Sequence, residues 1–183
     1  MSLIQSIIRQ ETLFLSMRRL CLILLCGLVA VPAALAGARV AGDGVLELSK
    51  VDGTVVVTGT RGTLWGQIDK GKLTVTDPIA DDDMIYVSGA EKTHPVNDTV
   101  TVYGGTDIRF RVTGGKYKLN IKGLGIDLTA VGVGTAQLAG DVLATDPGNY
   151  ALDSGKWTPV PSFPASRFVQ FGVQPTMVPS PGP

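Results

Sequence analysis

Apolar and polar residues alternate with a period of two along most of residues 44–156, the spacing that turns one side of a β-strand to a core and the other to water. Asp52-Gly53, between Val51 and Thr54, tolerates the positive φ of a type I′ turn and predicts a hairpin. That register sets Leu48 opposite Val57 and Lys50 opposite Val55, so Leu46, Leu48, Val55 and Val57 share a face. A second turn at Lys70-Gly71 sets Ile68 opposite Leu73. The most regular stretch surrounds Thr113-Gly114-Gly115-Lys116. A two-residue loop there makes Val112 face Tyr117, Phe110 face Leu119 and Ile108 face Ile121. A loop at Gly104-Gly105-Thr106 adds a strand, with Val102 opposite Ile108 and Val100 opposite Phe110. Residues 99–122 thus read as a three-stranded meander in which a one-residue slip would expose the whole apolar face.

Further on, Gly123, Gly125, Gly132, Gly134 and Gly140 interrupt a mildly apolar run, as in strands with bulges or sharp bends. No window after residue 36 offers helical spacing without glycine breaks. The expected fold is all-β, a small antiparallel sandwich or barrel of six to nine strands built from consecutive hairpins and preceded by a signal-peptide helix. The pattern leaves sandwich and barrel open.

The two ends of the chain read differently. Arg18-Arg19, an apolar run from Leu20 to Val31, Pro32 and then Ala34-Leu35-Ala36 form the n-region, h-region and cleavage site of an export signal. The apolar run is short for a membrane span of about 20 residues, so an uncleaved N-terminal anchor is the lesser alternative. Residues 1–36 are read as signal peptide, with 1–16 a possible over-extension ahead of Met17. A short leader occupies 37–43, a β-domain 44–156, and a proline-rich tail 157–183. Phe163, Phe168, Val169 and Phe171 precede the densest prolines and are expected to dock as a last strand rather than serve as a sticky linker.

Cleavage after Ala36 would remove Cys21 and Cys26, and the remaining chain would hold neither a disulfide nor a thiolate metal site. Its charge would be slightly negative, 13 basic residues against 15 acidic ones.

No catalytic, metal or cofactor signature is convincing, and none is expected. Gly66 to Leu73 approaches a Walker A pattern, but Leu73 replaces the magnesium-binding hydroxyl and no helix follows. Gly132-Val133-Gly134 lacks the third glycine of a dinucleotide fingerprint. His94 is the only histidine, and it reads as an exposed loop residue. Asp81-Asp82-Asp83, with Asp77 nearby, suits a solvated acidic loop better than a calcium site, since the EF-hand spacing is absent. Asn97-Asp98-Thr99 is formally a glycosylation sequon.

The meander register supplies the one surface worth testing. With Phe110 and Leu119 inward, Arg109, Arg111, Lys118 and Lys122 point outward beside Tyr103, and Arg111 lies opposite Lys118. Like charges facing each other across a ladder are unfavourable, and Asp107 opposite Lys122 compensates only once. Such a patch would bind an anionic glycan or an acidic envelope component. The plainer alternative is a solvated face neutralised by Asp81 to Asp83. Nucleic acid is not expected as a partner, and membrane contact only through an uncleaved signal.

Ile108-Arg109-Phe110-Arg111-Val112-Thr113-Gly114-Gly115-Lys116-Tyr117, together with Gly123 to Gly132, Gly53 to Val57 and Arg61-Gly62, resembles a motif set in exported β-rich proteins of actinobacteria with no known activity. The resemblance spans about residues 44–141. It implies a small exported β protein of a Gram-positive-type bacterium, extracytoplasmic in location, and transfers no functional residue.

The functional expectation is an exported, non-catalytic β-domain for binding or cell-envelope association. A carboxylate-based hydrolase of cell-wall sugars and a structural assembly module are the alternatives.

Overall fold

A computed structural model describes residues 41–79 and 83–173, with Asp83 as backbone only. The signal segment 1–36, the leader to residue 40, Asp81, Asp82 and the prolines from Pro175 onward lie outside the described residues.

The fold is all-β. No helix occurs among the described residues, and seven antiparallel strands form one sheet. They are β1 (Gly44–Thr76), β2 (Asp83–Asn97), β3 (Val100–Gly114), β4 (Tyr117–Gly140), β5 (Asn149–Leu152), β6 (Thr158–Pro159) and β7 (Arg167–Phe171). The sheet therefore continues past residue 156 into the segment read as tail.

The two longest strands pair with each other along both edges. Residues 44–59 of β1 run along 117–132 of β4, while 61–76 of β1 run along 118–133 on the opposite edge. The last stretch of β4, 134–140, returns to the free side of 53–59 and carries β7. On the other side, β3 pairs with 63–76 of β1, and β2 closes that edge.

Strands this long bend, and their halves fall into two layers. Layer one holds 92–97, 100–106, 70–76, 117–123, 53–59, 134–140 and β7. Layer two holds 84–88, 108–113, 61–68, 126–133, 44–48 and β5. Leu73, Leu119, Ile121, Val55 and Leu138 from layer one and Ile68, Ile108, Leu64, Ile126 and Leu46 from layer two are all fully buried in one cluster. A β-sheet whose inner face is wholly dry needs a second layer over it, so the architecture is a sandwich whose strands pass from one layer to the other.

The crease has a composition. Gly105, Gly71, Gly123, Gly53 and Gly140 are consecutive cross-strand partners in a single row. A Cβ at Gly71 would lie 2.4 Å from the Lys122 carbonyl oxygen and 2.7 Å from the Gly123 Cα, so the backbones approach closer than any side chain allows. The interrupting glycines of the sequence thus mark the fold line, as bends require.

Asp52 holds this corner. Its carboxylate accepts a 2.7 Å hydrogen bond from the Gly125 N–H, 73 residues away. Gly125 has φ +61, and a Cβ there would meet the Asp69 carboxylate at 2.1 Å. A charge-assisted bond to backbone is worth more than a neutral one, so Asp52→Ala should lower unfolding free energy by about 1.5–3 kcal/mol. Chemical denaturation of the variant beside the parent measures it.

Three expected hairpins are not formed. Asp52-Gly53 is a bend inside β1, with positive φ at Lys50 and Gly53, and 53–59 pairs with β4 on both sides instead of with 46–50. Lys70-Gly71 lies within the continuous strand as well, and Gly104-Gly105 within β3. The Gly114-Gly115 link does join β3 to β4, but 61–76 of β1 lies between those strands, so Val112 pairs with Leu64 and Phe110 with Gly66. The residues that tolerate positive φ serve bends as well as reversals, and long-range pairing along both edges of β1 and β4 buries more than a local hairpin would. Of the residues expected to face inward, Ile108, Phe110, Val112, Tyr117, Leu119 and Ile121 are buried; Val100 and Val102 instead pair with the outward Thr76 and Thr74, while Tyr103, expected outward, pairs with the buried Leu73 and turns to the core. Of the four C-terminal residues, Val169 and Phe171 dock into the core, whereas Phe163 and Phe168 face outward.

Candidate functional site

The five residues singled out in the sequence do not gather on one surface. Arg109 and Arg111 lie on 108–113 of β3, pointing outward from layer two. Lys118 and Lys122 lie on the first stretch of β4, pointing outward from layer one. Tyr103 packs, partly buried, against the core. The expected pairs are absent because β1 separates β3 from β4. Arg111 stands between Tyr86 and Trp65, Lys118 between Thr58 and Thr76, and Lys122 between Thr54 and Lys72. Two surfaces result, each holding half of the expected cations.

On layer one the outward positions are those out of register with the buried row of Leu73, Val75, Leu119, Ile121, Val55 and Val57. Lys72, Lys118 and Lys122 occupy three of them, and Lys92 extends the row through Gly104 to the edge strand. All four lysines are exposed. The positions between them hold Thr54, Val56, Thr58, Thr74, Thr76, Asn120, Thr135 and Gln137. Among the described residues no carboxylate occupies an outward paired position of this ladder, Glu91 at the β2 bulge beside Lys92 being engaged with Thr106 Oγ1 at 2.8 Å, and none of the four lysines makes an ion pair. Lys72 directly faces Lys122, so the like-charge pair expected of Arg111 and Lys118 exists with different members. Same-face partners on adjacent strands sit roughly 5 Å apart at Cβ, and two unscreened ammonium groups at that spacing repel.

Layer two carries a groove of about 740 Å³ that runs across its strands. Tyr86, Arg111, Trp65 and Thr129 are cross-strand neighbours along one wall; Ser88, Arg109, Gln67 and Asp127 form the other. The backbone row through Phe110, Gly66 and Leu128 makes the floor. Several of these groups are fixed. Asp127 accepts from the Lys50 backbone N–H at 2.9 Å and from the Gln67 amide at 3.2 Å, and the Arg111 Nε donates to Thr113 Oγ1 at 3.3 Å. Arg109 makes no ion pair or side-chain hydrogen bond among the described residues.

The remaining motif residues have structural roles. Gly66 to Leu73 is plain strand. His94 is exposed on β2 opposite Val102. Asp77 accepts from the Ile79 N–H at 3.1 Å, a local turn. In the sequon, Asn97 Oδ1 accepts from the Thr99 N–H at 3.0 Å and stabilises the β2–β3 turn. Among the described residues no cluster of metal-ligating side chains occurs.

Trp65, Tyr86, Lys72 and Lys92 escaped the sequence reading. Trp65 and Tyr86 approach Arg111 only through long-range pairing, and the local pattern puts Lys72 on an arm of the expected Lys70-Gly71 hairpin. The fold and its surfaces thus define a bent-strand β-sandwich with one basic face and one grooved face. Comparison with family models, with curated proteins and with solved structures finds no match.

Proposed function

We propose that the chain is an exported, non-catalytic β-domain that binds anionic polymers of the cell envelope through the outer face of layer one. The observation that carries this reading is the exposed set Lys72, Lys92, Lys118 and Lys122 on a ladder with no carboxylate at an outward paired position among the described residues. Most acidic residues of the β-domain lie on layer two, at the bends or in loops, so a polyanion meets one attractive face. A flat array of lysines suits a repeating anion: each ammonium is a hydrated point charge that needs no fixed geometry, and relief of the Lys72–Lys122 repulsion adds to the attraction. The hydroxyls and amides between the lysines supply hydrogen bonds to sugar or phosphate oxygens. Export is supported by the Arg18-Arg19, apolar-run and Ala34-Leu35-Ala36 sequence.

Lys72→Glu with Lys122→Glu should leave folding intact, because both side chains are exposed, and weaken binding to a long polyuronate about tenfold or more. Parent binding should also weaken as salt is raised. Equal affinity of parent and variant in a co-sedimentation or calorimetric titration would remove the proposal.

A sugar hydrolase of the usual kind needs two carboxyl groups flanking the bond to be cut. Among the described residues Asp127 is the one carboxylate lining the groove of layer two, and both its oxygens already accept hydrogen bonds.

A further inference from the structure

We infer that the groove across layer two is a second binding site, on the opposite face of the sandwich, that takes a pyranose unit bearing a carboxylate. Its volume, about 740 Å³, lies inside the range of roughly 300–1,000 Å³ typical of small-ligand sites. Its walls are two rows of side chains on the same strands. Residues two apart on a strand are about 7 Å apart and neighbouring strands about 4.8 Å, so the space between the rows matches the width of a sugar ring.

The chemistry of the walls is divided. Trp65 is half-buried, and Tyr86 is 66% exposed at the edge-strand end. Both present flat apolar surface for the C–H face of a pyranose, and their polar tips remain available to hydroxyls. Gln67 and Asp127 are hydrogen-bonded to each other on the opposite wall, suited to ring hydroxyls. Arg109 stands beside them between Ser88 and Gln67 with no carboxylate partner among the described residues. A guanidinium fork pairs with a carboxylate through two parallel hydrogen bonds, which a lone ammonium cannot do. The groove therefore differs in kind from the lysine face: it offers shape, aromatic surface and two guanidinium groups, Arg111 held by Thr113 and Arg109 without a partner among the described residues, where layer one offers spread charge. Because the groove stands on strands rather than loops, its backbone frame is in place before a ligand arrives.

The test uses short ligands that cannot span the lysine face. The protein carries two tryptophans, Trp65 and Trp157, so fluorescence in a Trp157→Phe background reports on Trp65 alone. A trimer of galacturonate should change Trp65 emission saturably, and the neutral trimer of galactose should bind about tenfold more weakly or worse. Arg109→Gln should bring the acidic trimer down to the affinity of the neutral one, while Lys72→Glu with Lys122→Glu should leave trimer binding unchanged and weaken only that of the long polymer, by about tenfold or more. Equal affinity for the two trimers, no response of Trp65, or loss of trimer binding in the double lysine variant would each overturn the inference. A double lysine variant that binds the long polymer as tightly as the parent, with trimer binding intact, would sink the lysine-face reading alone.

Discussion

Gly123→Val is expected to destabilise the domain by about 3 kcal/mol or more, a large part of the roughly 5–15 kcal/mol that holds a domain of this size together. A Cβ at this position would lie 2.5 Å from the Lys70 carbonyl oxygen and 3.0 Å from both the Gly71 Cα and a methyl of Ile68. Two of those three obstacles are backbone, in the middle of a strand paired on both sides, so they yield only if the crease opens. Opening it separates β1 from β4 at the point where both change layers, and the two layers enclose the whole core. Gly104→Ala supplies the control. Gly104 sits one residue from Gly105 in β3, yet a Cβ there would meet nothing nearer than the Gly71 carbonyl oxygen at 3.9 Å. That substitution should be neutral or stabilise by about 0.5 kcal/mol through the unfolded chain. Urea unfolding followed by circular dichroism on the two variants decides the matter: equal midpoints would show that the glycine row is not what permits the fold.

The alternation of side chains was legible in the sequence because it is local. Within one arm of a strand a residue's side follows from its neighbours two positions away, so the pattern places Ile108, Phe110, Val112, Leu119 and Ile121 inward and they are buried, but the alternation shifts by one across the crease, which turns Val102 outward and Tyr103 inward. Partners were not legible. Asp52-Gly53, Lys70-Gly71 and Gly114-Gly115 all have the composition of hairpin turns, and that composition specifies only tolerance of unusual φ. Whether the chain then reverses or bends depends on which strand offers more apolar surface. For 53–59 the answer came from 117–123 and 134–140, both more than 50 residues away.

The same limit governs the surfaces. Arg109 and Arg111 could be called outward from sequence, as could Lys118 and Lys122, but membership of a common face depends on the strand between them. Once 61–76 is inserted between β3 and β4, the two arginines gain Trp65 and Gln67 as neighbours and the two lysines gain Thr76 and Lys72. A bent strand also serves both faces. Trp65 and Gln67 belong to the groove, and Lys72, five residues after Gln67, belongs to the lysine array, because the crease at Gly71 lies between them. Both surfaces are thus mounted on one continuous piece of backbone, and the glycines that fold the sheet also sort its charges.

The second large effect concerns the C-terminal segment. Phe171→Ala should cost about 3–5 kcal/mol, the usual loss for truncating a buried phenylalanine, whereas Phe168→Ala should stay within about 0.5 kcal/mol. Phe171 is 1% exposed, and its ring lies over Gly134, where a Cβ would come within 2.5 Å of the ring edge. That glycine is what lets the aromatic side chain of β7 reach the core across the last stretch of β4. Phe168, three residues earlier in the same strand, is 66% exposed and pairs with Gln137 on the outer side. The two substitutions remove the same atoms from the same short strand, so any difference between them measures burial alone. A large cost at Phe171 with none at Phe168 would make β7 an integral part of the sandwich; equal and small costs would mean that the domain holds together without it and that the core closes at β4.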